Sequence, residues 1–202
     1  MAPGLKFENQ CLAQGYRCVA GVDEVGMGCL AGPVVAAAVI LDVNSIPDGV
    51  DDCKKLSPKK RKSLSIEIYE VALAWSISHA TVEEIDHFNI YHAAKLAMKR
   101  AVEGLEPKAD FVLMDGRGKI DLSIPQLAIV KGDALSFSIG AASIIAKVYR
   151  DEWMVKLDES YPGYGLAKHK GYGSELHRTS LQKLGSTKIH RKSFSWTPVS
   201  PK

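Results

Sequence analysis

The stretch GVDEVGMGCLAGP, residues 21–33, constrains the fold of this chain more than any other. One apolar run, 18–22, leads into it, and a second, 34–41 (VVAAAVIL), leaves it. Two short apolar runs joined across a glycine-rich bend read as neighbouring strands. Gly26, Gly28 and Gly32 permit backbone angles that a Cβ disfavours. The bend sets two carboxylates, Asp23 and Glu24, beside exposed backbone amides. That arrangement suits a metal site adjoining an anion site. In a regular strand the two acids point to opposite faces, so a shared site requires the backbone to bend at Glu24.

The rest of the chain alternates helix and strand signals. Residues 7–13 read as a short edge helix and 17–22 as the first strand. Ser57-Pro58 is a helix start, with serine as cap and proline at the first helical position. Leu64, Ile68, Val71 and Trp75 form its apolar stripe, and 75–79 then shifts to the alternation of a third strand. Thr81 and Glu84 have the spacing of a capping box. Asn89 caps a helix with the stripe Ile90, Ala94, Ala97, Ala101 and Leu105, which Pro107 stops.

Residues 111–114 form a compact strand ending at Asp115-Gly116, and 125–130 another ending at Lys131-Gly132-Asp133. Residues 134–158 give the strongest helix, with an apolar stripe of Leu135, Ile139, Ala142, Ala146, Tyr149 and Trp153. A second, more polar stripe holds Ser136, Gly140, Ser143, Lys147 and Arg150. Residues 161–173 (YPGYG and KHKGYG) carry too many glycines for a regular element and read as a loop. Residues 174–184 return to helix. This order predicts an α/β fold: a mixed sheet flanked by helices, with a small C-terminal helical extension from about residue 160. No linker divides the chain, so residues 1–202 are expected to form one domain.

Bulk charge says little, because the net formal charge is only +3. Its distribution says more. Lys54, Lys55, Lys59, Lys60, Arg61 and Lys62 form one basic cluster. Lys168, Lys170, Arg178, Lys183, Lys188, Arg191 and Lys192 form a second. Each alone is an ordinary solvated surface; two flanking an acidic site can straddle a phosphate backbone. The four cysteines contain no CxxC pair, so reduced thiols are expected rather than a zinc site. No signal-peptide or membrane-length apolar run is present, and a cytoplasmic location is expected.

Four acids stand at element ends: Asp23, Glu24, Asp115 and Asp133. Singly, Asp133 is a helix cap, Asp115 a turn former and Asp23 a loop acid. Their repetition at strand–bend boundaries shifts the weight toward a site. Clustered carboxylates repel, and a divalent cation offsets the repulsion. Oxygen ligands without histidine or cysteine select magnesium or manganese over zinc. The six histidines, with no HExxH among them, are read as structural or surface residues.

With those residues in place, the chain resembles bacterial ribonuclease HII, of the type 2 ribonuclease H family. The matching stretches are GVDEVGMGCLAGP, DDCKKLSPKKR, NIYHAAKLAMKRAV, LMDG, KGDALSFSIGAASIIAKVYRD, YPGYGLAKHKGYGS and HRKSF. They run in order over nearly the whole chain. The resemblance implies an RNase H-like mixed β-sheet and a monomeric, Mg2+- or Mn2+-dependent endonuclease. Its substrates would be RNA/DNA hybrid and duplex DNA containing ribonucleotides, incised 5′ of the ribonucleotide to leave 3′-hydroxyl and 5′-phosphate ends. It implies that Asp23, Glu24, Asp115 and Asp133 hold the metal, and that Gly26, Met27 and Gly28 contact the substrate. It further implies that Tyr172 stacks on the following deoxyribose, and that Lys54, Lys55, Ser143 and Lys147 position the backbone.

Two positions depart from the family pattern. Met27 stands where the family usually has the arginine of a GRG motif, which removes a donor and a positive charge. Cys53 stands where serine is more usual. Two other classes compete with a nuclease of this type: a carboxylate-metal phosphoryl-transfer enzyme acting on DNA junctions, and a noncatalytic hybrid binder.

Overall fold

The computed structural model describes residues 3–50, 53 and 56–196. Lys54 and Lys55 lie outside the described residues. Five strands form one sheet: β1 (Val19–Val25), β2 (Val34–Leu41), β3 (Ala72–Ala80), β4 (Phe111–Asp115) and β5 (Gln126–Ile129), in the order β3-β2-β1-β4-β5. The β1–β2 and β2–β3 pairs are antiparallel, whereas β1–β4 and β4–β5 are parallel. The helices are α1 (Lys6–Ala13), α2 (Pro58–Val71), α3 (Val82–Phe88), α4 (Ile90–Glu103), α5 (Phe137–Ser160), α6 (Leu166–His169) and α7 (Glu175–Leu184). The mixed, helix-flanked sheet and its C-terminal helical extension are those expected from the sequence. Among the described residues, no helix is long and apolar enough to cross a membrane.

The sheet is covered on both faces, which explains why β2 reads as unbroken apolar sequence. Ala36, Ala38 and Ile40 pack with Ala94, Ala97, Met98 and Ala101 of α4. Val35, Ala37 and Val39 pack with Leu64 and Ile68 of α2 and Ala141, Ala142 and Ile145 of α5. Small side chains on both sides let the helices approach closely. The closest approach is at Gly21, where an added Cβ would lie 2.1 Å from the Ser138 carbonyl carbon. α5 therefore rests its backbone directly on β1.

Capping residues set the helix starts. Ser57 accepts from Lys60 N at 3.2 Å, and Thr81 and Glu84 close a reciprocal capping box. Asn89 accepts from Tyr91 N and His92 N. At α5 the cap is Ser136, which accepts from Ile139 N at 3.3 Å. Asp133 lies instead in a 3-10 turn, Gly132–Ala134, so it is not the helix cap. The turn and residues 135–136 delay the helix to Phe137, three residues after the expected start.

Other boundaries also move. α2 ends at Val71, and β3 begins at once, so Trp75 belongs to the strand and is 45% exposed rather than part of the buried helix stripe. On α5 the polar stripe is more buried than expected: Ser136, Ser143 and Arg150 are buried, while Tyr149 of the apolar stripe is exposed. The reason is that α5 is packed between β1–β2, α2 and α6. The glycine-rich segment 161–173 contains one short helix, α6, in place of a continuous loop.

The C-terminal extension has its own apolar cluster of Leu30, Ala31, Met154, Tyr164, Leu166, Leu181 and Ile189. Because Leu30 and Ala31 come from the bend, the extension is built onto the glycine-rich stretch itself.

Candidate active site

The strand β1 continues through both acids. Asp23 pairs with Ala37, Glu24 with Ala36 and Val25 with Val35. The expected bend at Glu24 is absent; the chain turns at Gly26, whose φ is 97°. A Cβ there would lie 2.3 Å from Arg150 Nε, so glycine is required twice over, by backbone angle and by space. Gly32 also has positive φ, but Gly28 does not, and an added Cβ at Gly28 would meet nothing within 4 Å. The glycine at 28 therefore answers no need of the fold.

Strand alternation sends the two acids to opposite faces. Asp23 faces α5, whose Ser143 hydroxyl lies close enough to lower its pKa. Glu24 faces α4 and lines a hollow with Tyr91, Lys95 and Met98. They still meet at one cleft because they sit at the open end of the sheet. That cleft, about 240 Å³, is lined by Asp23, Glu24, Asp115, the segment from Val25 to Gly28, Cys53, Ser143, Lys147 and Tyr172. Asp115 reaches it from the end of β4, next to β1.

The electrostatics are those of crowded acids. Burial pushes the Asp23 carboxyl well above the usual carboxylate range, and the charges of Glu24, Asp115 and, more weakly, Asp133 push it further. The nearby Ser143 hydroxyl opposes them. Asp23 and Asp133 are each 5% exposed. Asp133 lies close enough to act on Asp23 but does not line the cleft.

Among the described residues, no three such side chains converge as a ready-made metal cage. Local amides hold the carboxylates apart. Asp23 Oδ1 accepts from Glu24 N at 2.7 Å, and Asp115 Oδ1 accepts from Gly132 N at 2.6 Å. Like charges favour that separation. The donor set is entirely oxygen, which fits a hard divalent cation.

The other expected site residues distribute as follows. Tyr172 lines the cleft, is 39% exposed and is joined to the bend by a backbone bridge to Cys29. Lys147 Nζ lies 5.5 Å from the Tyr172 ring centre and 2.7 Å from Asp151 Oδ1. Ser143 Oγ lies 3.2 Å from Cys53 Sγ, and both residues are buried. Met27 lines the cleft and the neighbouring hollow of about 220 Å³, which it shares with Glu24, Asp115, Lys95 and Arg117.

Sequence reasoning missed Lys95. Burial pulls its ammonium down, and Glu24 and then Asp115 pull it back up. Its position on the Ile90–Glu103 apolar stripe side gave no signal of a nearby acid. It also placed Arg191 in a solvated basic cluster, whereas Arg191 is 1% exposed. Arg61 likewise turns inward, donating to the carbonyls of Cys53 and Leu56. A basic run in sequence does not reveal which of its members is needed to satisfy buried carbonyls.

The family model described as Ribonuclease HII matches residues 20–197. The chain is 54% identical over 192 residues to Ribonuclease HII of Myxococcus xanthus, covering 95% of this chain and 66% of that protein. It is 51% identical over 193 residues to Ribonuclease HII of a Ruegeria species, covering 95% of this chain and 84% of that protein. Among solved structures, the ribonuclease H2 of Pyrococcus horikoshii superposes with a TM-score of 0.76 at 26% identity, over 89% of this chain and 95% of that one. The RNase HII in a complex with PCNA from Archaeoglobus fulgidus gives 0.77 at 25% identity, over 91% and 98%.

Proposed function

The chain belongs to the ribonuclease HII family and is a ribonuclease H-type endoribonuclease, and from that premise we propose how its cleft acts. Asp23, Glu24, Asp115 and Asp133 hold Mg2+ or Mn2+ and the chain hydrolyses the RNA strand of RNA/DNA hybrids. In duplex DNA it incises 5′ of an embedded ribonucleotide, leaving 3′-hydroxyl and 5′-phosphate ends. The observation that carries this reading is that Asp23, Glu24 and Asp115 all line one cleft together with the glycine bend and Tyr172.

Burial first, and then the charges of Glu24 and Asp115, raise the affinity of Asp23 for a proton, and a divalent cation beside it would offset both. When bound, a divalent ion supplies charge neutralisation, water activation and stabilisation of the leaving oxygen. A structure of a more distant ribonuclease HIII from the same fold contains Mn2+, which supports the choice of ion.

The chain's own groups do the remaining work. Glu24 and Asp115 approach from adjacent strand ends, the Ser143 hydroxyl favours the ionised form of Asp23, and the charge of Asp133 acts on Asp23 from outside the cleft lining. The Gly28 amide region is open to a close-approaching phosphate or 2′-hydroxyl, the group that separates RNA from DNA. Tyr172, bridged to the bend at Cys29, offers a ring face for the next sugar. Lys147 supplies charge beside that ring, tethered to Asp151. Lys54 and Lys55 are assigned to the phosphate backbone on the strength of the family pattern alone. None of these contacts reads a base edge, so cleavage is insensitive to sequence. We read the chain as one domain acting as a cytoplasmic monomer.

Matched DNA duplexes containing no, one or several ribonucleotides, with and without Mn2+, test the reading. Metal-dependent incision only where ribose is present supports it. Equal cutting of all-DNA duplex supports a general phosphoryl-transfer enzyme, and binding without incision a hybrid binder.

A further inference from the structure

Two fully buried guanidinium groups lie beneath the glycine-rich bend. Arg150 donates to the carbonyls of Pro33 at 3.0 Å, Lys170 at 2.9 Å and Ala31 at 3.2 Å. Arg191 donates from Nε to Gly32 O at 3.0 Å and from Nη1 to Met27 O at 2.9 Å. Every one of these acceptors is a backbone carbonyl. The main chain of 189–191 reinforces the grip: Gly32 N donates to Ile189 O and Arg191 N to Leu30 O. Arg191 Nη2 has no hydrogen-bond partner among the described residues.

The bond to Met27 O has a directional consequence. A trans peptide is planar, with its C=O and N–H pointing in opposite directions. Holding the Met27 carbonyl toward Arg191 turns the Gly28 N–H away from Arg191. Gly28 is exposed and lines the cleft. Position 28 also has no conformational need for glycine, which leaves close approach of another molecule as its physical use.

Arg191 is itself seated from outside the site. Asp86 of α3 accepts from Lys192 N at 3.0 Å, Ser193 N at 2.9 Å and Ser193 Oγ at 2.7 Å. The Phe194 ring lies 5.1 Å from the guanidinium carbon. The two residues after Arg191 are thus clasped by α3.

We propose that Arg191, seated by the Asp86 clasp, is a positioning residue that aims the Gly28 amide into the cleft toward substrate. This rests on the nuclease reading given above. It assigns to the HRKSF segment a role in substrate alignment rather than in metal binding. A lysine at 191 keeps the charge but loses the planar fork that spans two carbonyls.

Two variants test it with two readouts. Arg191→Lys should raise KM for a duplex with one embedded ribonucleotide about tenfold, and Asp86→Ala about threefold, with kcat within about twofold of wild type. Mn2+ affinity measured by calorimetry should be unchanged in both. Amide hydrogen exchange at residues 27–29 should quicken, while that of residues 20–24 in β1 stays as in wild type. Should Arg191→Lys fail to fold, Asp86→Ala carries the test, because Asp86 lies outside both the core and the cleft. Wild-type exchange at 27–29 in folded Asp86→Ala overturns the proposal, whatever the activity. Failure of wild-type protein to incise at ribose would instead sink the nuclease reading, while the exchange result still decides the positioning role.

Discussion

His177 and His190 place their Nε2 atoms 3.2 Å apart inside the C-terminal extension. His177 Nδ1 lies 3.0 Å from the Tyr172 carbonyl and so carries a proton, leaving Nε2 as acceptor. His190 Nδ1 accepts from Thr187 N at 3.0 Å, so its Nε2 is the donor. Both rings are therefore neutral, and a further proton would set donor against donor. Burial lowers the pKa of His177 to about 4, and burial lowers that of His190 as well.

The first prediction follows from that pair. Unfolded, His177 binds its second proton near pH 6.5, whereas in the folded chain it does not until about pH 4. Stability is therefore complete above pH 6.5 and falls as pH drops toward 4, by on the order of 3 kcal/mol from His177. Urea unfolding from pH 7.5 to 4.5 should show that slope. His177→Gln should flatten it, and an unchanged slope would show that the pair is not held neutral.

Gly26→Ala and Gly28→Ala should separate fold from function. At Gly26 a Cβ strikes Arg150 and the backbone has positive φ, so a loss of about 2–4 kcal/mol is expected. At Gly28 there is room, so stability should change by less than about 0.5 kcal/mol. KM for a ribonucleotide-containing duplex should nonetheless rise about tenfold. Thermal melts and steady-state incision measure both.

Asp115→Asn keeps the oxygen that accepts from Gly132 N but removes a charge acting on Asp23. The variant should melt at the same temperature as wild type or higher, because a repulsion is gone. Its kcat should fall by about 100-fold or more, with substrate binding largely kept. Wild-type turnover at saturating Mn2+ would remove Asp115 from the metal site.

Met27 sits between the cleft and the hollow that holds Lys95 and Arg117. Met27→Arg adds a donor and a positive charge at that rim without disturbing the main-chain bond from Arg191. Incision efficiency at a single embedded ribonucleotide should increase, and its fall with rising salt should steepen. Equal kinetics across several salt concentrations would show that the lost guanidinium carries no weight.

Much of this molecule is legible in its sequence, for physical reasons. The unbroken VVAAAVIL run, the caps at Ser57, Thr81 and Asn89, and acids at strand ends are local signals, and the structure contains each of those elements. The family resemblance extended them to the whole sheet. Signals failed where the answer depends on distant chain. Glu24 joins Asp23 through sheet-end geometry rather than a bend, which only the placement of β4 and α4 reveals. Ser136 displaces Asp133 as cap, and buried Glu8 accepts from Ser136 Oγ at 2.6 Å, a contact 128 residues away in sequence. Arg191 reads as surface charge until the carbonyls of Met27 and Gly32 are seen to need it.

The most direct measurement is to map the cut in a DNA duplex carrying one ribonucleotide, with Mn2+ present, and to identify both new ends. The account predicts a single incision on the 5′ side of the ribonucleotide, with a 3′-hydroxyl upstream and a 5′-phosphate on the ribonucleotide. Incision 3′ of the ribose, a cyclic phosphate end, or equal cutting of the all-DNA duplex would contradict it.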